Sequence, residues 1–186
     1  MIEKLLPVVV IKELCDTDKI LTALKKSGIK TAEITFRSAC AAKAIAYACA
    51  QYPDMCIGAG TVINTAKCEQ ALAAGARFIV SPGLSPAVAK LCAEQGVPYY
   101  PGCVTPTEIM AALELGITTV KFFPADLYGG LKALKALSAP FPQVSFIPTG
   151  GIDRSNIDAF LAFDKVVAVG GSFLVTEALE KSEAEG

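Results

Sequence analysis

Eight short apolar runs recur along the chain, and each is followed by a helical pattern, most of them rich in alanine. The runs are Val8–Ile11, Thr31–Phe36, Met55–Gly58, Phe78–Val80, Val97–Tyr100, Thr118–Phe123, Val144–Ile147 and Val166–Val169, with starts roughly 19 to 26 residues apart. Runs this short and this rich in β-branched and aromatic residues read as strands, and the intervening segments carry helical periodicity. Thr17–Lys26, Ala66–Ala74, Ala87–Gln95 and Glu108–Leu115 lead into Gly28, Gly75, Gly96 and Gly116, which stop a helix by turning left-handed. Ala39–Tyr52 stops before Pro53. Pro98 makes the fifth strand the weakest, although a proline near a strand start is tolerated.

Strand and helix in strict alternation predict a parallel sheet, and eight units predict closure into a single compact (β/α)8 TIM barrel spanning residues 1–186 as one domain. An open doubly wound sheet is the alternative. The acidic, charged segment Glu177–Gly186 is expected to fray.

Composition narrows the function. Hydrophobic residues make up 53% of the chain and charged ones 19%, too apolar for disorder. No apolar run approaches the ~18 residues of a membrane span, and the first seven residues are too short and mixed for a secretory leader, so a cytoplasmic protein is expected. The net charge is −1, and the three arginines, Arg37, Arg77 and Arg154, are scattered. That gives no basic stripe for nucleic acid, while one or two placed cations suffice for a small anion. Seven cysteines show no C-x-x-C spacing, as in a reduced interior. Histidine is absent, which removes the commonest zinc ligand and the commonest general base. Chemistry must run on Lys, Glu, Asp, Cys, Tyr or a cofactor.

Two strands carry charges where hydrocarbon is expected. Side chains alternate across a strand. In Thr31–Arg37, Ile34 and Phe36 share the face that should meet helices, so Glu33, Thr35 and Arg37 are expected to point inward. In Thr118–Pro124, Val120 and Phe122 face out and Lys121 faces in with Thr119 and Phe123. Strands two and six of eight stand opposite each other, so Glu33 and Lys121 can meet across the axis. A buried ion pair that fixes strand register is one reading, and a lysine that snorkels to solvent is another. The functional reading is that a neutral buried amine attacks a ketone while the carboxylate moves the proton of an enamine. Both residues lie near C-terminal strand ends, where barrel active sites form.

Thr149-Gly150-Gly151 and Gly170-Gly171-Ser172 close the last two strands. Each double glycine taken alone reads as a tight turn; the two together at this place favour phosphate, since glycine lets backbone N–H groups approach an anion. Gly58-Ala59-Gly60-Thr61 could bring Thr61 to a carboxylate, or could simply be a turn before a capped helix. Ser81-Pro82-Gly83 reads equally well as a plain turn.

Glu33-Ile34-Thr35-Phe36-Arg37, Gly58-Ala59-Gly60-Thr61-Val62, Phe78-Ile79-Val80-Ser81-Pro82-Gly83, Lys121-Phe122-Phe123-Pro124-Ala125, Pro140-Phe141-Pro142 and Pro148-Thr149-Gly150-Gly151-Ile152 together resemble the 2-keto-3-deoxy-6-phosphogluconate aldolases. Members of this class I family often also cleave 4-hydroxy-2-oxoglutarate. The resemblance runs in order from about Val8 to Val175. It implies a carbon–carbon lyase of the Entner–Doudoroff pathway with a phosphorylated keto-acid substrate. By resemblance, Lys121 forms a Schiff base with pyruvate and Glu33 carries protons. Arg37 and Thr61 hold the pyruvate carboxylate or a nearby oxygen, and Pro82 and Phe123 wall the pyruvate pocket. Thr149, Gly150, Gly151, Gly171 and Ser172 receive the phosphate. The family implies no metal, no cofactor and a homotrimer. It usually begins with an extra helix and ends with a fuller one, so a shortened N-terminus and a truncated eighth helix are expected. Some relatives carry a cation after strand one; Lys12, standing there, is expected to be solvated. A metal-dependent phosphosugar isomerase and a non-catalytic anion-binding barrel are the rivals.

Overall fold

The computed structural model describes residues 2–184 as eight strands alternating with eight helices. The first half runs β1 (Leu5–Val9), α1 (Asp16–Lys26), β2 (Thr31–Thr35), α2 (Ala41–Gln51), β3 (Cys56–Gly60), α3 (Thr65–Ala73), β4 (Ile79–Val80) and α4 (Pro86–Glu94). The second runs β5 (Tyr99–Tyr100), α5 (Pro106–Glu114), β6 (Thr119–Phe122), α6 (Gly130–Ser138), β7 (Ser145–Pro148), α7 (Ile157–Leu161), β8 (Val169–Gly171) and α8 (Phe173–Ala184). Each of the four glycine stops has a positive φ, between 64° and 88°.

All strand pairs are parallel. Continuous ladders form a six-stranded sheet in the order β5-β4-β3-β2-β1-β8 and a two-stranded sheet β6-β7, rather than one eight-stranded ladder. Isolated bridges join the two: Gly102 to Lys121 on one side, Phe146 to Val166 and Thr149 to Gly170 on the other. The pairing thins where the strands are shortest and where Pro98 and Pro101, on either side of β5, offer no N–H.

Two kinds of core show that the sheet curls. Outward-facing residues pack on helices: Ile34 and Phe36 with Ala44 and Ile45 of α2, Val120 and Phe122 with Ile109 of α5 and Leu134 of α6. Burying one such large apolar side chain is worth roughly 1.5–3 kcal/mol. A separate cluster of Leu6, Phe78, Val80, Ile147 and Ala168 contains no helical residue. β1, β4 and β7 meet there on their inner faces. An open sheet with helices on both faces would not form it.

Several boundaries differ from expectation. β1 begins at Leu5 rather than Val8, with Pro7 inside the strand opposite Gly171. β8 covers Val169–Gly171, so the double glycine is strand rather than turn. The expected short, fraying last helix is corrected: α8 spans 12 residues to Ala184. Arg154 forks onto Glu177 at 2.6–3.0 Å and Lys19 meets Glu183 at 2.9 Å, which ties the charged segment to distant parts of the chain. Glu185 and Gly186, the end of that segment, lie outside the described residues.

Candidate active site

Glu33 sits in mid-β2 between Val8 of β1 and Gly58 of β3. Its side chain is 1% exposed, and that of Lys121 is 6% exposed. Lys121 Nζ donates to Glu33 Oε1 at 3.4 Å. Glu33 Oε2 is buried with no hydrogen-bond partner among the described residues. Space for the carboxylate exists because residue 60 is glycine: a Cβ there would lie 2.0 Å from Glu33 Oε1. Lys121 Nζ also stands 5.1 Å from the centroid of the Phe123 ring. A buried ion pair of this kind contributes little to folding, and a carboxylate oxygen left without a partner costs more.

Thr35, inward as expected, is satisfied locally: its hydroxyl donates to the Val9 carbonyl at 3.1 Å. Arg37 is not inside. β2 ends at Thr35, the last pairing is Phe36 N–H to Gly60 O at 2.8 Å, and the chain then leaves the sheet. Alternation therefore stops applying, and Arg37 stands exposed at the rim, its Nε donating to Thr61 Oγ1 at 3.3 Å. Thr61 has φ 56°, a left-handed conformation that a β-branched residue adopts at a cost of roughly 1–3 kcal/mol. Lys12 is exposed.

Beside the pair lies a cavity of about 130 Å³. It gathers Arg37, Phe123, Thr149, Gly150, Gly151, Gly171 and Ser172 from the expected set. Phe123 is the wall shared with the buried amine. Gly150 and Gly151 have φ of 91° and 72°. A Cβ at Gly170 would lie 2.2 Å from Thr149 Oγ1. Ser172 leads directly into α8, so the cavity floor is a helix start suited to an anion, and Arg37 is the cation that lines it. Pro82 and Thr61 do not line this cavity. Pro82 is exposed after β4 and lines a separate depression with Val62, Ile63 and Leu84.

Val8 and Ile152 also line the cavity and were not anticipated. Val8 falls within the expected first strand, where an apolar side chain reads as core rather than as a cavity wall. No cysteine competes as nucleophile at this centre. Cys103, whose N–H bonds Lys121 O at 2.9 Å, is pushed up to about 12 by burial and stays a thiol. Among the described residues no group of three or more Cys, Asp or Glu is placed to hold a metal ion.

The family model for "KDPG and KHG aldolase" matches residues 2–185. This chain belongs to that family. The 2-dehydro-3-deoxy-phosphogluconate aldolase of Treponema pallidum is 45% identical over 172 residues, 92% of this chain and 82% of the relative. The KHG/KDPG aldolase of Escherichia coli is 40% identical over 95% of this chain and 84% of its own. A crystal structure of KDPG aldolase from Legionella pneumophila, with pyruvate captured as a covalent carbinolamine intermediate, matches with a TM-score of 0.91 and 41% identity, covering 97% of this chain and 88% of that one. A Zymomonas mobilis KDPG aldolase with 3-phosphoglycerate matches with a TM-score of 0.90 and 36% identity, covering 97% and 91%. As a KDPG/KHG aldolase family member, the chain shares an α/β fold of eight strands and eight helices with these enzymes.

Proposed function

We propose that this protein is a class I aldolase that cleaves 2-keto-3-deoxy-6-phosphogluconate to pyruvate and glyceraldehyde 3-phosphate through an imine on Lys121, and that it also cleaves 4-hydroxy-2-oxoglutarate to pyruvate and glyoxylate. One observation carries the reading: a buried amine 3.4 Å from a buried carboxylate whose second oxygen has no partner among the described residues. The relative that holds pyruvate as a carbinolamine supports the same chemistry.

In this mechanism the Lys121 amine adds to the C2 ketone, and the carbinolamine loses water to give an iminium. The iminium draws the electrons of the C3–C4 bond as that bond breaks. Glu33 takes the C4 hydroxyl proton, and C4 departs as the aldehyde. The enamine left behind takes a proton at C3 from Glu33. Water then releases pyruvate and frees the amine. Glu33 Oε1 orients Lys121 and Oε2 handles substrate protons. Arg37 and Thr61 hold the carboxylate. The phosphate rests on Thr149, Gly150, Gly151, Gly171 and Ser172. Phe123 bounds the pyruvate end.

We further infer that the strands act as one closed (β/α)8 barrel in a single domain over residues 1–186; the bridges across both seams support this. The protein would act in the cytoplasm as a homotrimer. No described helix is long and apolar enough to cross a membrane, and exposed Ile63, Met110, Leu127 and Tyr128 supply apolar surface for contact between copies.

The decisive measurement is borohydride reduction in the presence of pyruvate, followed by peptide mass mapping. The expected product is a reduced pyruvyl adduct on Lys121. An unmodified Lys121 would remove the proposal.

A further inference from the structure

A second set of contacts reaches the lysine strand from the side away from the anion cavity, and it starts at two buried hydroxyls. Tyr99 of β5 has its ring in the helix-facing core with Val88 and Cys92. Its hydroxyl lies 2.6 Å from Ser81 Oγ, which lies 2.5 Å from the Gly83 carbonyl. Ser85 N–H reaches the same phenol oxygen at 3.2 Å. Ser85 N–H donates to the phenol oxygen, the two hydroxyls hydrogen-bond each other, and between them they supply the Gly83 carbonyl, which lies 2.5 Å from Ser81 Oγ and 3.3 Å from the Tyr99 hydroxyl. Burial pushes the Tyr99 phenol up, against the opposing effect of the Ser81 hydrogen bond, so it remains a donor at neutral pH.

The turn held in this way bears on Lys121. Gly102 N–H donates to Ser81 O at 3.0 Å. A Cβ on Gly102 would lie 2.0 Å from the Pro82 carbonyl oxygen and 2.9 Å from Gly83 N, so residue 102 packs its bare backbone on the turn. On its other side, Lys121 N–H donates to Pro101 O at 2.8 Å and Cys103 N–H to Lys121 O at 2.9 Å. One peptide's thickness thus separates the turn from the lysine. Ser81 is 1% exposed and Tyr99 7% exposed, and neither lines the anion cavity. Two hydroxyls at such depth must keep every hydrogen bond.

We propose that Tyr99 and Ser81 are positioning residues of the aldol reaction: their relay fixes the Ser81–Gly83 turn, the turn fixes Gly102, and Gly102 sets where Lys121 stands opposite Glu33. This rests on Lys121 being the imine-forming amine.

Tyr99→Phe, Ser81→Ala and the double variant are compared with wild type well below their melting temperatures. The expected result is a fall of about tenfold in kcat for both substrates with KM within about twofold, because the amine is misplaced while the anion site is not. Pyruvate trapping by borohydride on Lys121 should slow by a similar factor. The double variant should be no worse than the worse single one, since both changes cut the same relay. Wild-type kcat and trapping in variants that merely melt earlier would reduce the relay to a structural role and overturn the proposal; additive losses would overturn it as well. If Tyr99→Phe does not fold, Ser81→Ala carries the same readouts. A wild-type chain that never traps pyruvate gives a different signature and removes the imine assignment itself.

Discussion

The two halves of the site are built from opposite materials. At the Glu33–Lys121 centre, charged side chains stand where hydrocarbon would be cheaper, and one carboxylate oxygen is left over. Elsewhere the inner surface is plain hydrocarbon: Leu6, Val80 and Ile147. At the anion cavity three of the lining positions, 150, 151 and 171, are glycines that lay backbone bare. The first half depends on which side chains are present, and the second on which are missing. Reactive groups can be deleted without loss of fold, whereas a cradle is damaged by the addition of a single methyl group.

The largest effect is expected from emptying the first half. Glu33→Leu with Lys121→Met should abolish turnover, by about 10⁴-fold or more, while the unfolding free energy holds or rises by about 1–4 kcal/mol because a buried ion pair is replaced by apolar groups of similar size. Steady-state rates and denaturant melts check both parts; a marked loss of stability would make the pair structural. Gly60→Ala comes next. Its Cβ would press on Glu33 Oε1, so kcat should fall by about 10²-fold for both substrates.

Gly150→Ala addresses the second half. It must adopt φ 91° with its Cβ 3.2–3.3 Å from Pro124 and Phe123, a strain of about 1–2 kcal/mol. KM for the phosphorylated substrate should rise about tenfold, and that for 4-hydroxy-2-oxoglutarate should change by less than about twofold. Equal shifts for both substrates would merge the two halves. The smallest effect lies outside both. Hydrogen bonds from Tyr47 and then Tyr52 hold the Asp18 carboxyl below its ordinary 3.8. The folded state thus favours the ion, and this stabilisation is present above that value and lost as pH falls through the lower folded one. Asp18→Asn should therefore melt earlier than wild type near neutrality, with the gap closing in acid, and activity should be unchanged.

How legible each half was follows from the same contrast. Glu33 and Lys121 stood out because a charge breaks the alternation of an apolar strand, and β2 and β6 were placed within a residue. Backbone features gave weaker signals. Gly170 and Gly171 read as a turn but are strand, and Pro7 hid the true start of β1 at Leu5. The left-handed Thr61 has no sequence signature, since β-branched residues avoid that region. Alternation carried two residues past the end of β2 misdirects Arg37. The length of α8 was missed because its charges find partners far away in sequence, at Lys19 and Arg154.

The six-and-two division of the strands also has a mechanical side. The acid rides on the larger plate and the amine on the smaller, and among the described residues one rivet fastens the plates at one margin and two at the other. The 3.4 Å gap between Glu33 and Lys121 belongs to neither plate alone. It is set by how the two are clamped, so slack at a margin would widen the gap while leaving each plate intact.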